Sequence, residues 1–452
     1  MKIKLLAILL LLFTITTFSQ NYHTQYQFLK QDEGYLGGGF GVTWIDNKPF
    51  YTFRFFPELA FANFGVGLDL RLEFNADGEL RTGSFNRFED YLSIIRYVRY
   101  GYKKDPVYAR VGALDYATLG HGSIMYLYNN STSFDARKVG LAFDLDFSAF
   151  GFESVYSNFA DAGVLGLRGY VRPLQFTELA PIPIIGKLEI GATVASDFNE
   201  KAGVINGTYN ETEDKFTPTT DLGSTTIFGF DIGLPILRAS VLNIDVYFDY
   251  AKIVDFGSGT ALGTVLDFHG LGLVNLTAKL ERRFNGENYL PSYFNALYEI
   301  ERFNLDRSSG TVSSKIKSMT LGTNKSSNGW HGQLFVDVLG MFNILGSYQR
   351  LDELPNSGIL HLATNILPED APYVARAGYD KRGIGNESAI FKLDSNSHLF
   401  AELGYKPIPF IIVSMVYHWT FAPIRDTDEN IIDYETQKRI EPRISFYMPL
   451  QL

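Results

Sequence analysis

The sequence predicts an all-β protein, a transmembrane antiparallel β-barrel of about 16 strands within a range of 14 to 18. Three observations predict it. The chain opens on a short apolar leader, its apolar residues then alternate with polar ones over most of its length, and its connectors are rich in turn formers. Composition agrees: among 452 residues there are 42 Gly, 37 Phe and 27 Tyr but no Cys. The missing cysteine excludes disulfide scaffolds, thiolate metal sites and thiol nucleophiles. With 40 Lys+Arg against 50 Asp+Glu and a formal charge of −10, the chain has no basic block for nucleic acid. An apolar content of 46% is too high for a disordered chain.

Residues 1–20 read MKIKLLAILLLLFTITTFSQ. Lys2 and Lys4 form a basic start, Leu5 to Phe13 is apolar, and small or polar residues follow, which is the layout of a cleaved signal peptide. The apolar run is too short to span a bilayer as a helix. Residues 21–452 are then one barrel domain, exported and placed in the outer membrane.

The period of two is cleanest in 66–74, where Val66, Leu68, Leu70, Leu72 and Phe74 oppose Gly67, Asp69, Arg71 and Glu73. Nine alternating residues match a tilted strand crossing hydrocarbon. The pattern recurs in 140–147, 187–198, 228–234, 242–252, 274–283, 294–302, 330–338 and 398–405. Less regular strands are expected over 36–45, 49–56, 90–102, 107–114, 151–159, 164–172, 341–351, 411–421 and 443–451, with 359–367 either strand or loop. Segment 90–102 also fits a short helix. Aromatics near strand ends, such as Tyr97/Tyr100/Tyr102, Phe55/Phe56, Tyr247/Tyr250 and Tyr417/Trp419/Phe421, suit girdles at the membrane interfaces.

Connectors differ in length. Short ones fall at 46–49, 103–106 and 160–163, and long polar ones at 115–138, 199–224, 304–328, 368–396 and 422–440. Short turns on one side and long loops on the other is the plan of such a barrel.

The chain closes on Arg443-Ile444-Ser445-Phe446-Tyr447-Met448-Pro449-Leu450-Gln451-Leu452, with apolar residues alternating to the end. This strand resembles the one that outer-membrane barrels present to their insertion machinery, although it ends in Leu where an aromatic is usual, and Pro449 removes one ladder donor. Together with the leader and the strand run, the chain resembles porin-like outer-membrane β-barrel proteins. Its Ser-Gln leader resembles those of exported proteins of Bacteroidota-type bacteria. The resemblance implies lipid and insertion machinery as partners, and a homo-oligomer or a secretion complex as a further one.

The inward faces carry the chemistry. Fourteen acidic residues lie on them: Asp69, Glu73, Asp144, Asp146, Glu189, Asp197, Asp231, Asp245, Asp249, Glu281, Glu299, Glu301, Asp337 and Glu402. Seven basic ones join them: Arg71, Arg110, Arg168, Arg172, Lys187, Lys279 and Arg283. The excess predicts a lumen mildly favouring cations, with pairing across strands as the alternative. Asp144/Asp146, Asp245/Asp249 and Glu299/Glu301 each place two carboxylates on one strand face. Such pairs suit a divalent ion or acid–base work, but nothing else in the sequence supports either, so they read as solvated lumen charge.

Other motifs are weaker. Loop 426–433 (DTDENIID) has the alternating oxygens of a calcium loop, but Ile431 replaces the required Gly. His121 and Ser123 flank Gly122, and His418 shares a face with Ser414, yet no G-x-S-x-G elbow occurs. No enzyme, no metal and no cofactor is expected. Fewer than twenty residues separate the leader from the first strand, which leaves no room for a plug domain.

The expected function is a porin-like channel for passive diffusion of small hydrophilic solutes. Loop 115–138 is its candidate constriction, because Ile124, Met125 and Leu127 are too apolar for an idle exposed loop. The alternative is a plugged barrel serving as a structural or assembly subunit of an outer-membrane export machine. A barrel for apolar cargo and a soluble secreted β-protein are the remaining readings.

Overall fold

The computed structural model describes residues 33–81, 91–92, 94–103, 105–133, 135–270, 273–321, 325–339, 341–366 and 372–451. The leader expected over 1–20 lies outside these residues.

Twenty strands close into one antiparallel barrel. They are β1 (Glu33–Ile45), β2 (Lys48–Phe55, resuming as Glu58–Phe61), β3 (Phe64–Leu68, resuming as Leu70–Phe74), β4 (Ile95–Tyr100), β5 (Val107–Gly112), β6 (Gly140–Asp146), β7 (Phe150–Tyr156), β8 (Val164–Val171), β9 (Glu189–Asp197) and β10 (Thr225–Arg238). The second half comprises β11 (Leu242–Ile253), β12 (Ser258–Gly270), β13 (Val274–Asn285), β14 (Ser327–Val338), β15 (Phe342–Leu351), β16 (Gly358–Ile366), β17 (Tyr373–Ile384), β18 (Ser397–Ile408), β19 (Ile411–Arg425) and β20 (Ile431–Gln451). Each pairs with its chain neighbours, and β1 pairs with β20 from Glu33↔Gln451 to Ile45↔Arg439. The closing pairing leaves the sheet without an edge.

The count corrects the expected 16. Strand β12 falls outside every expected strand, β17 lies within the expected connector 368–396, and β16 is a full strand. In β12 (SGTALGTVLDFHG) small residues dilute the alternation. Strand β17 (YVARAGYDKRGI) carries so many charges that it reads as a surface loop. Segment 294–302 is not a strand. Its residues 298–301 form a short helix, α1 (Tyr298–Glu301), inside a long loop.

Both ends of the described chain lie at the end of the barrel with short turns, such as 62–63, 147–149 and 239–241. The opposite end carries loops 113–139, 198–224 and 286–326. Connectors 46–47 and 157–163 are short yet lie at this loop end. The first is a two-residue hairpin with Asp46 and Asn47 both left-handed (φ 47° and 69°), the geometry that matches strand twist. Loop 198–224 holds a hairpin (Val204–Asn210 with Lys215–Asp221). Loop 286–326 holds another (Asn304–Asp306 with Thr311–Ser313) and the helix α2 (Lys315–Thr320).

Burial is inverted relative to a soluble sandwich. Phe40, Phe230, Leu262, Leu280, Trp330, Leu334, Leu403 and Ile444 are exposed on the outer wall, while Glu73, Arg99, Arg168, Asp231, Glu281, Arg283, Glu402, Arg439 and Arg443 are buried inside. Only a medium that is itself apolar makes that outer face stable. Outward aromatics cluster at both rims. Phe61, Phe64, Tyr100, Phe147, Phe150 and Phe410 mark the turn end, and Trp44, Phe284 and Trp330 the loop end. Tyr97, Tyr247 and Phe421 are not girdle residues, since all three point inward and are buried.

Two measurements follow from this wall. The protein should fractionate with the outer membrane and migrate differently on gels before and after boiling. Leu262→Arg, at an outward position 58% exposed in mid-strand, should lower urea stability by about 2–4 kcal/mol, as a charge facing the hydrocarbon midplane does. An unchanged urea midpoint would mean that this face does not meet lipid.

Candidate functional site: a lumen filled by two loops

Loop 113–139 turns into the barrel. Its arms bridge at Ala117 and Tyr128, and it then runs parallel to loop 286–326 through a Met125–Phe294 bridge. Main-chain bonds stitch the two loops: Tyr126 N–H donates to the Phe294 carbonyl (3.0 Å), Phe294 N–H to Ile124 (3.1 Å) and Ser292 N–H to Ser123 (2.8 Å). Thr420 Oγ1 and Ser133 Oγ tie the far end of the loop to β19.

The apolar side chains explain why the loops stay in. Leu114, Leu119, Ile124, Met125 and Tyr128 pack with Tyr293, Phe294, Tyr298, Ile316 and Met319 in one cluster. Met125 and Phe294 are both 0% exposed. Burying such side chains stabilises by about 1.5–3 kcal/mol each. The wall makes room with small residues: a Cβ at Gly166 would lie 2.6 Å from Leu119, and one at Gly229 3.1 Å from Ile124. Leu127, with a left-handed backbone (φ 51°), is buried apart from this cluster, beside Leu297. All three expected loop residues, Ile124, Met125 and Leu127, are thus inside the lumen.

Ion pairs latch the second loop. Glu299 of α1 accepts from Arg302 (2.7 and 3.0 Å), from Lys138 and from Tyr128. Arg302 Nε and the Tyr298 hydroxyl donate to Asp197 of β9 (2.5 and 2.6 Å). Glu301 pairs with Lys315 and with Arg382 of β17. Burial pushes the Glu299 and Glu301 carboxyls up, but the neighbouring cations outweigh it and hold both at about 2. Glu299 and Glu301 were expected side by side on a strand face. They sit instead in the helix, each with its own cations.

The remaining candidates line the wall. Asp69 binds Arg54 (2.7 Å) and Arg137 (2.9 Å), Glu73 binds Arg439 and Arg81, and Arg71 lies half-buried between them on β3. Arg110 meets Asp115 (2.9 Å) and Arg168 meets Asp231 (2.6 Å) and Glu189 (2.8 Å). Asp144 pairs with Lys103 and Asp146 with Arg172. Asp245 pairs with Arg238 near the turn end, whereas Asp249 is buried against His121 (2.8 Å). Lys279 meets Glu281 (3.1 Å), which also binds Arg283. The carboxylate pairs therefore do not converge on shared sites, because each acid has its own cation.

His121 stacks on Tyr247 (4.0 Å, 14°). Burial pulls its pKa down, and Asp249 more than offsets this, so the imidazole titrates above its usual range. Ser123 also donates to Asp249, so aspartate, not histidine, holds the serine, and no nucleophile–base contact exists between the two. Loop 426–433 is a tight turn in which Asp426 accepts from the Asp428 and Asn430 amides. Beneath His121 lies a cavity of about 110 Å³ whose lining includes Lys103, Arg110, Tyr116, Tyr126, Tyr247, Lys279 and Gln333.

Sequence reasoning missed loop 286–326. Its stretch NYLPSYFNALYEI carries the signal used for 115–138, too many aromatics for an idle loop, but the alternation in 294–302 disguised it as a strand. It also missed His331 and His361, which read as ordinary wall residues.

No protein-family model matches the chain, and neither does any curated protein. Among solved structures it is similar to OccK11 (OpdR) of Pseudomonas aeruginosa, with 9% identity, TM-score 0.29, and 92% of this chain and 95% of that one covered. OccK8 (OprE) of the same organism gives 12%, 0.30, 92% and 98%. Wzi, an outer-membrane protein of Escherichia coli involved in group 1 capsule assembly and described as a carbohydrate-binding β-barrel, gives 11%, 0.35, 93% and 85%. Overlaps of this size assign no family. The class is defined by the molecule itself: a closed sheet with an apolar outer wall, aromatic rims and a charged interior. The chain is a closed transmembrane β-barrel of the outer-membrane type.

The latch gives a pH prediction. A carboxyl depressed on folding stabilises above its unfolded value, near 4.3, and that stabilisation is lost as pH falls through about 2. Acidification from pH 5 toward 2 should therefore expose loop 286–326 to pepsin before the barrel unfolds. Glu299→Gln, which takes the carboxylate from Lys138 and leaves Arg302 with Asp197 alone, should cost about 3–5 kcal/mol of loop docking and permit cleavage already at pH 5. Cleavage independent of both would remove the latch.

Proposed function

We propose that the barrel is a constricted channel for passive diffusion of small hydrophilic solutes. The observation that supports this best is the inward folding of loops 113–139 and 286–326, which narrows a polar lumen to small cavities instead of leaving it empty. Selectivity for charge is weak in this reading. Among the described residues 16 acidic and 9 basic side chains are buried, but half-buried residues of both signs face the same interior, Asp115, Asp146, Glu153, Glu189 and Asp245 beside Arg54, Arg71, Arg81, Lys103, Arg137, Lys138, Arg172, Lys315, Arg376 and Arg382, and leave the acidic excess small. A slight cation preference is what survives of the acidic excess.

The dry cluster shared by the two loops favours a second reading, a barrel shut at rest that serves as a structural or assembly subunit of an export machine. Planar-bilayer recording separates the two. The channel reading expects small, discrete steps from the wild-type protein, a weakly cation-directed reversal potential in a KCl gradient, and steps several-fold larger when residues 120–126 are replaced by a short Gly-Ser linker. Silent wild-type protein beside a conducting loop variant would support the shut barrel. No steps from either would overturn the channel.

A further inference from the structure

Among the described turns at the short-turn end, the connector between β8 and β9 stands apart. It runs from 172 to 188, whereas 62–63, 147–149 and 239–241 each join two strands in two or three residues. It reads RPLQFTELAPIPIIGKL, with Glu178 as the one charge between Arg172 and Lys187. Phe176, Leu179, Ile182, Ile184 and Ile185 are exposed, Phe176 at 66%. Contiguous apolar surface of this kind marks a face that something covers.

The segment folds on itself as a compact pad. Two 3₁₀ turns, Pro173–Phe176 and Ile185–Lys187, stand near its ends, and the Gln175 side-chain amide closes them together by donating to the Gly186 carbonyl. Main-chain bonds run inside it, from Gln175 to Arg172 (3.0 Å), Ala180 to Thr177 (3.1 Å), Ile182 to Leu179 (3.0 Å) and Gly186 to Ile182 (3.0 Å). Pro173, Pro181 and Pro183 have no N–H to satisfy. Backbone bonded internally in this way suits contact with lipid, and it presents no strand edge to which another chain could add.

The root of the pad is fixed at the rim. Arg172 N–H donates to the Ala149 carbonyl (2.7 Å) and Arg172 Nη1 to the Ser148 carbonyl (2.7 Å), beside the outward Phe147 and Phe150. The chain leaves the wall after Val171 and rejoins it before Ile190, both exposed on the outer face. The second 3₁₀ turn packs beside β10, whose Ile236 and Leu237 are exposed near the same end. The apolar surface of the pad thus continues that of the lipid-facing wall. On the inner side of the same root, Arg172 bridges Asp146 and Glu189 at 2.9 Å each, so a pad swung beneath the lumen would meet charge.

We propose that segment 172–188 is an interfacial anchor. Its five exposed apolar side chains insert at the headgroup–acyl boundary of the leaflet on the turn side, and lipid is their partner. Glu178 and Lys187 hold the segment in the plane of the interface, as the polar face of a surface-lying element does. The anchor is the same whether the barrel conducts or is shut.

The absence of cysteine from the chain makes single-site labelling clean. Phe176→Cys and Ile185→Cys, with Thr212→Cys at the exposed tip of the loop-end hairpin as reference, are labelled with nitrobenzoxadiazole. Each is reconstituted at low density into phosphatidylcholine vesicles carrying a nitroxide at acyl carbon 5. Labels at 176 and 185 should emit further to the blue than the label at 212. They should be quenched several-fold more by the nitroxide lipid than by aqueous iodide, with the order reversed at 212. Heat-modifiable migration checks folding, and Ile182→Cys replaces any variant that loses it. Labels at 176 and 185 open to iodide and untouched by the nitroxide would overturn the anchor. Shielding from iodide that appears only at high protein density, without nitroxide quenching, would mean that a second copy covers the pad, and the proposal falls.

Discussion

In hydrocarbon no water is available to bond a bare amide, so every strand must find a neighbour on both sides. The pairing of β1 with β20 meets that demand and dictates the rest. Closure puts one face of each strand toward lipid and the other toward a shared interior. The first must be apolar, and the second holds what is left, which is why Leu262 and Leu403 stand exposed while Arg283 and Glu281 are buried.

A charged interior has its own requirement, because a buried ion needs a partner. Many partners come from the wall, as with Arg168 and Asp231. Others come from the inward loops: Arg137 reaches Asp69, Arg302 reaches Asp197, and His121 reaches Asp249. The loops therefore complete the electrostatics of the wall as well as narrowing the lumen, and their apolar cores pack where the wall offers glycine.

The barrel class was legible because lipid contact enforces strict alternation, and nothing blurs it in 66–74 or 242–252. It failed where the inner face is small and mostly uncharged, as in β12, and where charges crowd both faces, as in β17. The error over 294–302 has the same root: Phe294, Ala296, Tyr298 and Ile300 alternate by accident in a loop whose burial comes from another loop. Met125 was legible for the opposite reason, since a Met in a polar connector needs an explanation. The Tyr116–His361 and Tyr126–His331 contacts were not legible, because they join residues far apart in the chain through the three-dimensional path of one loop.

Closure also has a kinetic consequence. The partners Glu33 and Gln451 stand more than four hundred residues apart in sequence, so the first strand waits for the last, and the search between them carries the full entropy of the intervening chain. Until that pairing forms, the growing sheet has two bare edges, each a template for aggregation. Folding of this chain is therefore a race between β20 and any other strand that reaches β1 first.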